Sequence, residues 1–199
     1  AAILCQSYYR LLRLVNNLSA APLISQTEPL ETKNVELVAW LTELMHCAQP
    51  LVAHAGVRLT LRCSLTAHVA AIHPSYLERL LWNLLSNAVK YTQENGKIVV
   101  RLEAEDNHFR LSVFNSGSYI STTDVEVIFE RFYQVDGHQA GTGIGLALVR
   151  AFVEMHGGNI MAHSNEKGTT FTVTLPKRDI SQYHPACLLY TSPSPRDCS

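Results

Sequence analysis

Hydrophobic residues recur every three or four positions in several stretches of the chain, which is the spacing of an amphipathic helix. In the first stretch, residues 3–19, Leu4, Tyr8 and Leu11 begin one apolar face. The same spacing predicts four further helices, at residues 36–55, 74–91, 124–129 and 144–156. The last of them ends where Gly157 and Gly158 follow.

Other stretches alternate between apolar and polar residues, as half-buried strands do. They predict strands at residues 57–63, 69–72, 97–104, 109–115, 159–163 and 169–175. Turn residues stand between two neighbouring pairs, at 106–107 and at 165–168, and predict two hairpins. Helices and strands thus mix along the chain, which predicts an α/β fold.

These elements divide the chain into four parts. The helix in residues 1–21 is followed by a polar, proline-bearing linker at 22–34, and the globular domain spans 35–178. Residues 179–199 have neither helical period nor core content, so we expect a disordered or non-native tail. Because the chain starts with Ala1 and helical periodicity begins at once, we expect it to be the C-terminal part of something longer.

Composition excludes several classes of function. The 199 residues are 47% hydrophobic with a net charge of -1, so we expect a folded core and no nucleic-acid partner. The five cysteines contain no C-x-x-C pair and the nine histidines lack metal-ligand spacing, which argues for reduced thiols and against a zinc site. No apolar run is long enough to cross a bilayer.

The predicted helix at 74–91 carries two asparagines and a lysine away from its leucines. At 100° per residue, Asn83, Asn87 and Lys90 fall within roughly 60° of one another. Asparagine is a poor helix former, so two of them in mid-helix suggest a use. The Asn87 carbonyl can supply one oxygen ligand to Mg²⁺, Lys90 can neutralise phosphate charge, and Tyr91 offers a ring to a base or ribose. The alternative is a solvated polar face.

A glycine-rich stretch, GTGIGL at residues 141–146, opens the helix predicted at 144–156. Glycines let the backbone approach anionic groups closely, and the free N–H groups of a helix N-terminus attract them. The polar stretch before it, residues 134–140, is interpreted as a mobile lid. No Lys-Ser/Thr pair follows for a P-loop, and no strand directly precedes for a dinucleotide fingerprint.

These motifs resemble those of sensor histidine kinases. Residues 83–92 (NLLSNAVKYT) resemble the N box, 115–117 (NSG) the first glycine box, 128–133 (IFERFY) the F box and 141–149 (GTGIGLALV) the second glycine box. The resemblance covers about residues 35–176 and implies the Bergerat-type two-layer α/β sandwich, a mixed sheet covered on one face by helices. It also implies that residues 1–21 are the second helix of a dimerisation and phosphotransfer hairpin.

The resemblance assigns roles by position. Asn87 would hold Mg²⁺, and Asn83, Asn87 and Lys90 would form the catalytic set. Phe129 and Phe132 would anchor the lid, with core packing as the alternative for both. The residues expected to contact ATP are Asn87, Lys90, Tyr91, Asn115, Gly117, Ile120, Phe132, Gly141, Thr142, Gly143, Ile144, Gly145, Leu146 and Thr170.

The first glycine box departs from the family pattern D-x-G-x-G, because Asn115 stands in place of the aspartate and Tyr119 in place of the last glycine. The family's aspartate accepts a hydrogen bond from the adenine amino group. An amide accepts more weakly and can also donate. We therefore expect weaker ATP binding and looser discrimination between adenine and guanine. Tyr119 is expected to stiffen this loop and to narrow the pocket.

Asn83 bears on the reaction. Related ATPases of this fold carry a glutamate there as general base, and an amide cannot take a proton at neutral pH. We therefore expect slow ATP hydrolysis and transfer to a nucleophile that needs no base, such as a neutral histidine. None of the nine histidines has the H-E/D-x-x-x-P context of the phosphoacceptor, so this histidine would lie outside the chain.

The resemblance implies the ATP-binding catalytic domain of a histidine kinase. Its expected partners are ATP, the phosphoacceptor-histidine helix of the parent protein and a response-regulator receiver domain, in a homodimer of the full-length protein. The expected location is cytoplasmic. The alternatives are a catalytically silent nucleotide-binding module and an autonomous ATPase.

Overall fold

The computed structural model describes residues 31–65, 68–117, 119–135 and 143–177. Several predictions fall outside these ranges, namely the helix at 3–19, the linker up to residue 30, the lid from residue 136 onward, Gly141, Thr142 and the tail at 179–199.

The described residues form seven strands and four helices. In chain order they are β1 (Lys33–Glu36), α1 (Leu37–His54), β2 (Arg58–Cys63), β3 (Val69–Ile72), α2 (Pro74–Tyr91), β4 (Lys97–Ala104), β5 (His108–Ser116), α3 (Thr122–Val127), α4 (Gly145–Met155), β6 (Asn159–Asn165) and β7 (Gly168–Pro176). Each predicted helix and strand within the described ranges is confirmed to within two residues. None of these four helices combines the length and the hydropathy that a bilayer crossing requires.

Strand β1 is a correction to the predicted domain boundary, which leaves residues 33 and 34 in a linker. It pairs antiparallel with β3, with Lys33 opposite Ile72 and Glu36 opposite Val69. Its four residues show no apolar alternation, so their sequence alone does not predict a strand. The strand forms through its pairing with β3, which is distant in the sequence.

The other five strands form one sheet in the order β2-β4-β5-β7-β6. Strand β2 runs parallel to β4, and the remaining neighbours are antiparallel. The two predicted hairpins, β4–β5 and β6–β7, are both present. This mixed sheet with helices confirms the predicted α/β class.

Cross-strand register separates the two faces of this sheet. Val100, Val113 and Phe171 lie in one row and are buried in a core shared with the helices. The intervening positions carry polar groups, such as Arg110, whose guanidinium lies 2.7 Å from a Glu105 carboxylate oxygen. One face therefore holds the core and the other carries charge, as the alternation predicts.

Helices α2 and α4 lie antiparallel against each other, and their far ends are joined by an aromatic stack. The ring of Tyr76, in the first turn of α2, stacks on Phe152 of α4 with 4.8 Å between centroids, and on His73 at 4.0 Å. His156, buried after α4, contacts the Phe152 carbonyl through Nδ1 at 2.6 Å and accepts from the His73 N–H through Nε2 at 3.2 Å. The start of α2 is thereby fixed to the end of α4.

Glu36 joins the start of α1 to the loop before β3. Its carboxylate accepts hydrogen bonds from the N–H groups of Val38 and Ala39 in the first turn of α1, and from the His68 N–H at 2.7 Å. Desolvation acts to raise the pKa of this carboxyl, but the backbone donors His68, Ala39 and Val38 outweigh it, and the net pKa is lowered. The charged form of Glu36 therefore stabilises the fold.

Replacing Glu36 with alanine is expected to lower the free energy of unfolding by about 1–2 kcal/mol at pH 7, because a helix cap and a long-range hydrogen bond are lost. Since the folded pKa is depressed, this stability is present above the unfolded pKa and is lost as pH falls through the folded pKa. The measurement is urea unfolding followed by circular dichroism at pH 7 and pH 3. Glu43→Ala, an exposed site on α1, is the control; equal losses for both variants, or a Glu36→Ala loss that does not shrink at pH 3, would contradict the assignment.

Candidate nucleotide site

The C-terminal half of α2 presents the predicted polar stripe. Asn83 and Asn87 are half-buried and Lys90 is exposed, whereas the opposite side of the helix, including Leu81 and Leu84, is fully buried in the core. The stripe therefore lies at the edge of the packed region, where it is accessible to a ligand but not free in solvent.

Asn83 connects this stripe to α4. Its Nδ2 donates to the Arg79 carbonyl of its own helix at 2.9 Å. Its Oδ1 lies only 3.1 Å from the position that a Cβ on Gly145 would take. The first residue of α4 thus packs directly on the Asn83 amide, and glycine allows that close approach.

The N-terminus of α4 is open to an anion. Its cap residue, Ile144, gives the first turn no side-chain hydrogen bond, and the Leu148 N–H is the one that bonds back to the Ile144 carbonyl at 3.0 Å. The preceding N–H groups and the positive end of the helix dipole can therefore serve a phosphate. Ile144 and Leu146 are partly buried and pack against the core, so they position this turn.

Lys90 folds onto the neighbouring ring. Its Nζ donates to the Tyr91 Oη at 2.9 Å and lies 4.6 Å from the ring centroid. An exposed contact of this kind is weak, so a phosphate group could draw the ammonium away from it.

Gly143, two residues before α4, is hydrogen-bonded to Phe132 through its backbone. The Phe132 N–H donates to the Gly143 carbonyl at 2.9 Å, and both residues have left-handed backbones, with φ of 66° each. A Cβ on Gly143 would lie 2.5 Å from the Phe132 carbonyl carbon, closer than any side chain tolerates. The predicted second glycine box is therefore bonded through its backbone to the F box.

The two F-box phenylalanines have different environments. Phe129 is buried and meets Phe171 of β7 edge to face, with 6.3 Å between centroids. Phe132 is 72% exposed, so the structure excludes core packing as the explanation for this residue.

Tyr133 and Asp124 hold the F-box segment to α3. The Tyr133 hydroxyl donates to the Asp124 carboxylate at 2.6 Å, and the Ser121 hydroxyl donates to the second oxygen at 2.7 Å. These bonds, first that from Tyr133, lower the pKa of Asp124, while the carboxylate raises the pKa of Tyr133. Sequence reasoning assigned no role to this pair, because the two residues are nine positions apart and carry no motif of their own.

Asn115 lies at the end of β5 on the core face of the sheet, in one row with Ile98 and Thr169. It is 2% exposed, and its Nδ2 has no hydrogen-bond partner among the described residues. The nearby Gly117 has a φ of 96°, and a Cβ at this position would lie 3.3 Å from the Gln93 Cγ. The end of β5 therefore adjoins the end of α2.

Thr169, not Thr170, shares the Asn115 face. Thr169 is directly opposite Asn115, while Thr170 is opposite Phe114 and points to the other side of the sheet. Thr170, which the sequence analysis names as an ATP contact, therefore lies on the face opposite to Asn115. The Thr169 hydroxyl lies 2.7 Å from that of Ser164, which also accepts from the Ile120 N–H at 2.9 Å, and this tie was not predicted.

Tyr119, in the loop after β5, is 61% exposed. The remaining predicted contacts, Gly141 and Thr142, lie outside the described residues. Of the predicted set, α2 and the start of α4 are brought together through Asn83 and Gly145.

Comparison with known proteins agrees with this geometry. Residues 72–179 match the model of a family described as histidine kinase-, DNA gyrase B-, and HSP90-like ATPase. The heme sensor protein HssS of Staphylococcus aureus (strain Newman) is 42% identical over 105 residues, which cover 52% of this chain and 23% of that protein. The chain therefore spans about a quarter of the length of the curated relatives it matches.

Solved structures with the same fold include the catalytic domain of histidine kinase ThkA in a nucleotide-free form, with a TM-score of 0.67 and 27% identity over 74% of this chain and 96% of that one. Full-length ShkA in complex with AMPPNP has a TM-score of 0.73 and 28% identity over 86% of this chain and 37% of that chain. ThkA in complex with the response regulator protein TrrA has a TM-score of 0.66 and 26% identity over 82% and 49%.

Gly143→Ala is expected to break the contact with Phe132, because the added Cβ meets the Phe132 backbone and alanine disfavours a left-handed φ by about 1–2 kcal/mol. Hydrogen exchange of the Phe132 amide reports this contact directly. We expect strong loss of protection in Gly143→Ala. Gly157→Ala is the matched control, since Gly157 also has a positive φ but its Cβ would meet only a Pro176 side-chain carbon at 3.9 Å. Unchanged Phe132 exchange in Gly143→Ala would contradict the described contact.

Proposed function

The chain belongs to the family of histidine kinase-, DNA gyrase B- and HSP90-like ATPases, among the ATP-binding domains of sensor histidine kinases, and we propose that in the whole protein it transfers the γ-phosphoryl group of ATP to a histidine outside this chain. The observation that carries the proposal is the contact of Asn83 with Gly145, which sets the amide stripe of α2 beside the open N-terminus of α4.

In this proposal the triphosphate lies between the two helices. The first-turn N–H groups of α4 bind phosphate oxygens, and Lys90 leaves the Tyr91 ring to pair with them. The base reaches toward Asn115 and Thr169 at the end of the sheet. The backbone bond between Phe132 and Gly143 holds the F box beside the residues that open α4.

The residues present fit a magnesium ion held mostly by its nucleotide. The described residues contain no group of three or more His, Cys, Asp or Glu side chains that could hold a metal. Mg²⁺ commonly takes one or two protein ligands and fills its octahedron with phosphate oxygens and water. Asn87 would be that protein ligand, and the bound ion would offset phosphate charge.

The reaction requires positioning more than proton removal. A nitrogen lone pair of the neutral histidine attacks the γ-phosphorus, the bond to the β,γ-bridging oxygen breaks, and ADP leaves. Asn83 is an amide that already donates to the Arg79 carbonyl, so it cannot act as a general base for water. The site therefore favours transfer to an imidazole over hydrolysis.

The partners follow from this reaction. We infer that residues 1–21 contribute to a dimerising hairpin, that the phosphohistidine passes its group to a response-regulator receiver domain, and that the full-length protein is a homodimer. Because ATP is an intracellular nucleotide, we place this domain in the cytoplasm. The alternative kept open by Asn115 is a nucleotide-binding module without transfer.

The test supplies labelled ATP·Mg and a separate hairpin protein that carries the phosphoacceptor histidine. We expect label on the hairpin with the wild-type chain and loss of at least 100-fold with Asn87→Ala, together with negligible phosphate release when the hairpin is absent. Asn107→Ala, in the β4–β5 turn, should transfer normally. Nucleotide binding without transfer would support the silent module, and steady phosphate release would support an ATPase; either outcome would overturn the kinase proposal.

A further inference from the structure

Asn115 is a buried hydrogen-bond donor whose capacity is left unused. The side chain is 2% exposed and its Nδ2 has no partner among the described residues. Buried polar groups are nearly always paired, and an unmet one costs about 1–3 kcal/mol. An acceptor on a bound ligand would meet this donor.

The hydroxyl groups of Thr169 and Ser164, near the Asn115 amide, are hydrogen-bonded to each other. Thr169, opposite Asn115 in β7, has its hydroxyl 2.7 Å from Ser164, and Ser164 in turn accepts from the Ile120 N–H. This tie fixes the loop after β5 against β6 and β7. Asn115 therefore lies beside a hydrogen-bonded group that joins β6, β7 and the loop after β5.

The end of β5 lies beside the end of α2, which carries Lys90 and Tyr91. The Lys97 N–H donates to the Ser116 hydroxyl at 2.9 Å, and a Cβ on Gly96 would lie 2.9 Å from the same oxygen. In the proposed site, a nucleotide whose phosphates lie at the start of α4 would direct its base toward Asn115.

An amide reads the two purines differently from a carboxylate. Adenine offers a donor at position 6 and an acceptor at N1, while guanine offers an acceptor at position 6 and a donor at N1. A carboxylate only accepts, so it would set a charge against the guanine O6 and leave it unpaired. A carboxamide pairs with either edge after a 180° turn of its terminal group.

Resting on the proposed nucleotide site, we propose that Asn115 reads the position-6 and N1 edge of either purine, so that this domain binds GTP as well as ATP. The specificity of the site is then set by one amide. The Nδ2 of Asn115, which has no partner among the described residues, would donate a hydrogen bond to guanine O6 or to adenine N1.

The experiment is calorimetric titration of the full chain with ATP, GTP and ITP, each with Mg²⁺. We expect the Kd values for ATP and GTP to lie within about tenfold of each other. ITP, which keeps the guanine O6 and N1–H but lacks the amino group at position 2, should bind as GTP does. Asn115→Asp should raise the ratio of the GTP Kd to the ATP Kd by at least tenfold. This is the size of discrimination that a bidentate contact to a base edge supplies.

Asn159→Asp, the same change at an exposed position at the opposite end of the sheet, is the control and should leave the ratio unchanged. Circular dichroism melting of each variant checks that it is folded. Three outcomes would overturn this inference and leave the nucleotide site standing. The wild-type chain could bind ATP but show a GTP Kd more than 100-fold weaker, folded Asn115→Asp could show an unchanged ratio, or the ITP Kd could differ from the GTP Kd. Absence of heat with all three nucleotides would overturn both the inference and the proposed function.

Discussion

The close approach of Gly145 to the Asn83 amide is the contact on which the rest of the site depends. A Cβ at residue 145 would lie 3.1 Å from the Asn83 Oδ1, so a side chain there would require the amide to shift, whereas glycine lets the first turn of α4 lie against it. The start of α4, whose first turn has no side-chain cap, thereby lies beside the Asn83 amide of α2.

The opposite end of the helix pair explains how this contact is kept in register. The rings of His73, Tyr76 and Phe152 form a continuous stack, and His156 bonds to both helices at once. Burial lowers the pKa of His73, which favours the uncharged form of the ring in this stack. The two helices are thus joined at one end by the aromatic stack and at the other by the contact of Gly145 with the Asn83 side chain, and such an arrangement suits the positioning of a nucleotide.

Much of this architecture is readable from the sequence because its signals are local. Several elements are predicted from short stretches of sequence, whatever they pack against. Examples are the leucine face of α2, the turn residues of both hairpins and the glycines before α4. The N box places Asn83, Asn87 and Lys90 on one stripe through helix geometry alone. The family follows from the order of such motifs.

The parts that sequence reasoning missed depend on distant partners. Strand β1 exists through pairing with β3, and Tyr133 acquires its role through Asp124. The choice between Thr169 and Thr170 is a question of register, because adjacent strand residues point to opposite faces and both are threonine. Chemically identical neighbours cannot be told apart without the cross-strand pairing.

The most direct measurement is an NMR titration of the isotope-labelled chain with ATP·Mg. The account predicts large amide shifts at the C-terminal half of α2, around Asn115 and Thr169, and in the first turn of α4, with the outer face of the sheet unchanged. Shifts centred on the outer face, or no shifts at millimolar nucleotide, would contradict a binding site between the two helices.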